Sequence, residues 1–157
     1  MDIKIYPNQI KGEMTPPPSK SYLHRAIICA SLSKGKSIIK NILIGDDVQK
    51  TIEAFRSLGV NIEYLDNQLI IESNGKLQFT DNHMIHCGES GSTMRFLMPI
   101  LTNKKGTEFY GKNTLLSRPL DLYESIYSKQ NNEFVRFEEY IYTEGELKPS
   151  NYIIDDD

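Results

Sequence analysis

The 157-residue sequence has no tryptophan and only two cysteines, Cys29 and Cys87. Two thiols cannot staple a disulfide scaffold, and their apolar neighbours predict a pair of buried, free side chains. No apolar run approaches the roughly 20 residues that cross a bilayer. The opening MDIKIYPNQIKGEM lacks the apolar stretch of a secretory signal, which points to the cytosol. Positive charge is not in excess either. Lys and Arg number 18 against 21 Asp and Glu, a net charge of −3, which argues against coating nucleic acid or anionic membrane by bulk charge. Histidine is scarce, and His83 and His86 have no third ligand nearby, so no metal site is expected. What remains is ordinary globular composition, 39 % hydrophobic and 25 % charged, with enough chain for one domain and a real core.

Internal repetition organises that chain. The segment DDVQKTIEAFRSLGVNIEYLDNQLIIE, residues 46–72, matches RPLDLYESIYSKQNNEFVRFEEYIYTE, residues 118–144, after a shift of about 72 residues. Each begins with a cap-like residue and continues as an amphipathic helix. Val48, Ile52, Phe55 and Leu58 form the apolar face of one; Leu120, Tyr123, Ile126 and Tyr127 form that of the other. Two short strands follow in each, around turns at Leu65-Asp66-Asn67 and Phe137-Glu138-Glu139. The same shift relates a helix predicted over 20–33 to one over 92–102, and helix 46–58 to helix 119–129. Gly35 and Gly106 end the first helix of each unit and lead into strands at 37–42 and 107–111. The expected class is α/β, as two βαβαββ-like units at about 14–85 and 86–150. Residues 151–154 look like the first strand of a third unit.

Three short stretches could carry chemistry. In PPPSKSYLHRA (16–26) the prolines hold an extended approach, and Ser19 is a good N-cap. Lys20 and Ser21 then fall in the first helical turn, with Arg25 one turn on. Free N–H groups, the helix dipole and two cations make this an anion site, although an exposed helix start with surface cations fits the same residues. In CGESGSTMR (87–95) two glycines let backbone approach a ligand closely, and Ser92 and Thr93 add hydroxyls. A Gly-rich turn with an N-cap fits equally, and nucleotide-binding spacings are absent. Arg95 faces either ligand or solvent, and Pro99 is expected to kink the helix. In LLSRPLD (115–121) Pro119 is placed at the first helical position. That leaves Arg118 at the cap, where a cation opposes the dipole, so an anionic partner is expected. Asp46 and Asp47, the matching positions, read as ordinary helix-start residues.

The run P-S-K-S-x-x-x-R, the loop G-E-S-G-S-T-M-R and the helix start S-R-P-L resemble the 5-enolpyruvylshikimate-3-phosphate synthase family, in that family's order and spacing. GDDVQKTIEAFRSLGV is similar too, and the likeness extends over essentially the whole chain. The related UDP-N-acetylglucosamine enolpyruvyl transferases carry Lys-Asn where this chain has Lys20-Ser21, and stand second.

The resemblance implies a transferase of aromatic amino-acid biosynthesis that moves the enolpyruvyl group of phosphoenolpyruvate to the 5-hydroxyl of shikimate 3-phosphate. It implies that Lys20, Ser21 and Arg25 contact shikimate 3-phosphate and that Lys20, Gly91 and Arg118 contact phosphoenolpyruvate, with Ser92 and Arg95 as weaker contributors. No metal or organic cofactor is implied. The family fold is an inside-out α/β barrel of two domains with three units each. Residues 1–157 are therefore expected to form a single partial domain without the second domain, which in the family carries the acid and base. The expectation is an inactive isolated chain with no catalytic residue of its own, whose partner would be a C-terminal remainder of the enzyme. The alternative from another class is a non-catalytic anion-binding fragment.

Overall fold

The structure, a computed structural model, describes residues 3, 4, 6, 7, 9 and 11–152. Helix α1 (Lys20–Leu32) starts where the three prolines end, with the Ser19 hydroxyl accepting from the Tyr22 amide at 3.4 Å. It buries one face, through Leu23, His24, Ile27, Ile28, Ala30 and Ser31. Cys29 falls on the other face and is exposed, so only Cys87 is the buried thiol expected of both. Strand β1 (Lys34–Ile39) starts three residues earlier than predicted and takes in Gly35, which therefore begins a strand rather than ending a helix. Helix α2 (Asp46–Ser57) carries two acidic residues in its first turn and Arg56 in its last, matching the helix dipole.

Strands β2 (Asn61–Leu65) and β3 (Gln68–Asn74) close on a two-residue turn. Asp66 and Asn67 there both have positive φ, at 49° and 57°, the conformation that joins right-twisted strands tightly. Strand β4 (His83–Gly88) leads into α3 (Gly91–Ile100) and then β5 (Thr107–Gly111). A short helix α4 (Asn113–Leu116), which the sequence reading lacked, precedes α5 (Asp121–Lys129). The hairpin β6 (Glu133–Arg136) and β7 (Tyr140–Glu144) follows. Residues 151 and 152 have no regular structure, and the remainder of the strand expected at 151–154 lies outside the described residues.

The elements form an α/β fold with two sheets. The first is antiparallel in the order β1-β3-β2; the second runs β4-β5-β7-β6, with β4 parallel to β5 across the α3 crossover. Strands β5-β7-β6 repeat the order and sense of β1-β3-β2, as the sequence repeat requires. Each sheet buries one face, through Ile62, Leu69 and Ile71 in one and Ile85, Phe109 and Ile141 in the other. Helix α2 joins them, touching α1, α3 and β4. One apolar cluster therefore runs from Ile27 through Phe55 to Leu97 and Phe109. Each such fully buried side chain contributes about 1.5–3 kcal/mol, which holds the helix starts at fixed separation.

Pro99 lies inside α3, one residue before its end. Lacking an N–H, it leaves the Arg95 carbonyl without its helical donor, and the Tyr123 hydroxyl of α5 donates there at 3.1 Å. Tyr127 does the same for the Met98 carbonyl at 2.9 Å. Two tyrosines of α5 thus fasten it to α3.

Candidate functional site

The starts of α1, α2 and α3 meet around a chain of buried polar side chains. His24 Nδ1 lies 2.7 Å from Thr51 Oγ1, which lies 2.8 Å from Thr93 Oγ1. Thr93 Oγ1 lies 2.7 Å from Ser90 Oγ and donates to the Asp47 carbonyl at 3.2 Å. Because Thr93 has one hydroxyl proton, Thr51 and Ser90 both donate to it. Thr51 then accepts from an Nδ1–H, which assigns His24 as the neutral tautomer with a bare, buried Nε2. Nε2 has no hydrogen-bond partner, and burial lowers the pKa of His24 below its ordinary 6.5, with the charges of Lys20 and Arg25 adding and that of Asp47 opposing. A buried network linking these residues favours a single arrangement of the three helices.

Over this network opens a pocket of about 440 Å³, lined by Lys20, Gly91, Ser92, Arg95 and Arg118 together with Asp47, Glu89 and Phe96. Lys20 Nζ lies 2.6 Å from Asp47 Oδ2. The Arg118 guanidinium lies directly over Gly91: a Cβ built there would come 2.5 Å from Nη1. The missing side chain at Gly91 leaves room for the guanidinium to lie there, and the backbone at this position does not call for glycine. Arg95 is anchored beside it, its Nη2 donating to the Pro119 carbonyl at 3.2 Å. That bond holds the segment carrying Arg118.

Five of the seven residues expected at the site are thus brought together in the pocket. Arg25 stands at its edge, its guanidinium 5.1 Å from the centre of the Phe96 ring and donating to the Ser21 carbonyl at 3.1 Å. Ser21 lies on the exposed first turn of α1, outside the lining. Arg118 reaches the pocket by a route other than the one argued from sequence. Leu120 is the N-cap of α5 and Asp121 its first residue, so Arg118 lies three positions before the helix and is not its cap. The α4 turn sets it there, through the Arg118 amide donating to the Leu115 carbonyl. Two carboxylates were missed. Asp47 is an ordinary helix-start residue by pattern, and only the packing of α2 against α1 turns it toward Lys20. Glu89 lies 3.4 Å from Lys112 Nζ, and its sole sequence signal was its place in the G-E-S-G loop.

The remaining reactive groups are placed elsewhere. His83 is buried between Ser57 and Thr80, with Ser57 Oγ 3.1 Å from Nε2 and Thr80 Oγ1 3.0 Å from Nδ1. His86 points to the opposite face of β4, against Tyr110 with ring centres 5.3 Å apart. Burial pushes the Cys87 thiol up to about 12, which removes its nucleophilic form at neutral pH. Among the described residues no cluster of three or more His, Cys, Asp or Glu could hold a metal, and no helix is long and apolar enough to cross a membrane.

Comparison with known proteins bears on this pocket. The family described as EPSP synthase (3-phosphoshikimate 1-carboxyvinyltransferase) matches residues 5–143. A Clostridium perfringens protein named 3-phosphoshikimate 1-carboxyvinyltransferase is 43 % identical over 151 residues, covering 94 % of this chain and 36 % of its own length. One of the same name from Clostridioides difficile is 41 % identical over 162 residues, covering 96 % and 37 %. Among solved structures, EPSP synthase from Acinetobacter baumannii superposes with a TM-score of 0.76 at 27 % identity, covering 90 % of this chain and 34 % of that one. The chain spans about a third of the length of the curated relatives it matches.

Proposed function

Since the chain belongs to the EPSP synthase family, we propose that its pocket is the anion-holding part of a site that transfers the enolpyruvyl group of phosphoenolpyruvate to the 5-hydroxyl of shikimate 3-phosphate. Phosphate leaves in that reaction, which belongs to aromatic amino-acid biosynthesis in the cytosol. The observation that carries the reading is the Arg118 guanidinium lying over Gly91 in the same pocket as Lys20. Both substrates present phosphate and carboxylate groups, and fixed cations in a concave, partly dehydrated site hold such groups more strongly than in water.

In this reading Lys20 stands between the two substrates as a compact point charge. Ser21 and Arg25 extend its reach toward the phosphate of shikimate 3-phosphate. Gly91 and Arg118 take phosphoenolpyruvate, with the planar guanidinium matching a carboxylate or phosphate edge. Ser92 adds a hydroxyl, and Arg95 fixes Arg118 from behind. The two carboxylates in the pocket are each engaged by a lysine, Asp47 by Lys20 and Glu89 by Lys112. The proton-transfer groups, in this reading, are those of the second domain that the family implies. The chain itself contributes two stacked units, at about 14–85 and 86–150.

The test mixes the 157-residue chain with the separately produced remaining two-thirds of the Clostridium perfringens relative and follows phosphate release from the two substrates. Activity in the mixture and in neither part alone supports the reading. Turnover by the chain alone would overturn the assignment of roles, and a mixture that stays inactive although the two parts associate would overturn the function.

A further inference from the structure

We propose that Phe96 is a positioning residue of the pocket: its ring holds the Arg25 guanidinium at the pocket edge by one face and leaves its remaining N–H groups for an anion. The inference rests on the substrate reading above for Arg25 as a ligand of shikimate 3-phosphate; the placement of the guanidinium by the ring does not depend on it.

Among the described residues that line the pocket, Phe96 alone has an apolar side chain. It is half-buried and packs against the core. Core packing calls for apolar volume, which leucine would supply as well; a flat face at the pocket does something leucine cannot. The Arg25 guanidinium lies over that face, 5.1 Å from the ring centre, inside the range of about 6 Å over which a cation is attracted to a ring. Arg25 is exposed, and a long side chain in water samples many rotamers. Two contacts narrow its choice. Its Nη1 donates to the Ser21 carbonyl at 3.1 Å, which uses one of the five N–H groups of a guanidinium. The ring covers a face and uses none of them. Stacking acts perpendicular to the guanidinium plane and hydrogen bonding acts within it, so a stacked Arg25 still offers N–H groups to a carboxylate or phosphate. Lys20 is restrained differently, because Asp47 takes one of its donors. A guanidinium ordered before the ligand arrives has less side-chain freedom left to lose on binding. Because Phe96 belongs to α3 and Arg25 to α1, the contact also sets the cation of one helix relative to the pocket-forming start of the other.

The test follows the binding of shikimate 3-phosphate and of inorganic phosphate to the 157-residue chain by NMR titration. The variants are Phe96→Leu, which keeps apolar volume without a ring face, Phe96→Tyr, which keeps the face, Arg25→Gln, and the double variant of Arg25→Gln with Phe96→Leu. Thermal unfolding checks that each protein is folded. In the parent chain the ring should shift the Arg25 side-chain protons upfield; the shift should persist in Phe96→Tyr and vanish in Phe96→Leu. Arg25→Gln should weaken shikimate 3-phosphate binding about tenfold or more. Phe96→Leu should weaken it about two- to fivefold, and Phe96→Tyr about twofold or less. Once Arg25 is replaced, Phe96→Leu should have almost no further effect, because nothing remains to be positioned. A loss of the same size in that background would overturn the proposal, since the ring would then act on the ligand or the fold directly. So would Arg25 signals without an upfield shift in the parent chain, or a Phe96→Leu variant that binds as tightly as the parent while Arg25→Gln binds weakly. Shikimate 3-phosphate that binds no more tightly than inorganic phosphate, or that is indifferent to Arg25→Gln, would sink the substrate reading instead, while the ring shift still decides whether Phe96 holds Arg25.

Discussion

Replacing Gly91 by alanine should separate binding from stability in one step. The added Cβ would sit 2.5 Å from Arg118 Nη1 and 3.9 Å from Leu115 Cδ1, so the only severe overlap is with the end of a flexible side chain. Gly91 opens α3 with its φ outside the left-handed region, and alanine is favoured over glycine in helices by about 0.5–1 kcal/mol. The fold should therefore be as stable as before or slightly more so. The guanidinium must move by about 1 Å to restore van der Waals separation, which displaces it from the anion it is proposed to hold. A hydrogen bond to a charged group contributes about 1.5–3 kcal/mol, and a partial loss corresponds to roughly tenfold weaker binding of shikimate 3-phosphate plus phosphoenolpyruvate, or of sulfate. Calorimetric binding and thermal unfolding of the single variants Gly91→Ala and Arg118→Ala and of the double variant give the test. If the alanine acts through Arg118, it should have almost no further effect once Arg118 is gone. Unchanged affinity in Gly91→Ala, or full additivity in the double variant, would refute the reasoning.

Other outcomes follow from the same geometry. Thr93→Val removes the hub of the buried network and strands the Thr51 and Ser90 hydroxyls, so urea unfolding should show a loss of about 1–3 kcal/mol; a change within experimental error would mean the network is dispensable. Burial lowers the pKa of both His24 and His83 below the ordinary 6.5. The unfolded chain therefore takes up protons first as pH falls, and stability should be complete above about pH 6.5 and decline below it. A denaturation midpoint that stays flat between about pH 7 and pH 5 would contradict that assignment. Thiol reagents should label exposed Cys29 in the native protein and reach Cys87 only on unfolding, which mass spectrometry of labelled peptides would show. Tyr123→Phe takes the hydroxyl from the Arg95 carbonyl beside Pro99, and should cost about 0.5–1.5 kcal/mol in thermal or urea unfolding.

Much of the α/β repeat was legible before any coordinates because it depends on local periodicity. The apolar spacing of Val48, Ile52 and Phe55 makes a helix in nearly any context, and Asp66-Asn67 between alternating residues makes a tight hairpin. Boundaries were less secure where competing local signals met. Gly35 suggested a helix stop, yet pairing of β1 with β3 at Gly35 and Ser73 draws it into a strand. The turn at 113–116 has too few residues to show a helical period, so α4 went unseen, and with it the true placement of Arg118.

Capping, turn chemistry and apolar spacing act over a few residues, and they set which elements form and which side chains stand at the helix starts. Lys20, Gly91 and Arg118 were therefore visible as candidates, each in its own stretch. What they do to one another depends on packing between elements. The packing of α2 between α1 and α3 brings Asp47 within 2.6 Å of Lys20 and threads one hydrogen-bonded chain from His24 to Ser90. Tertiary packing also lays Arg118 over a glycine 27 positions earlier in the chain. Charge pairing and close approach act through space, between residues whose separation along the chain carries no record of it.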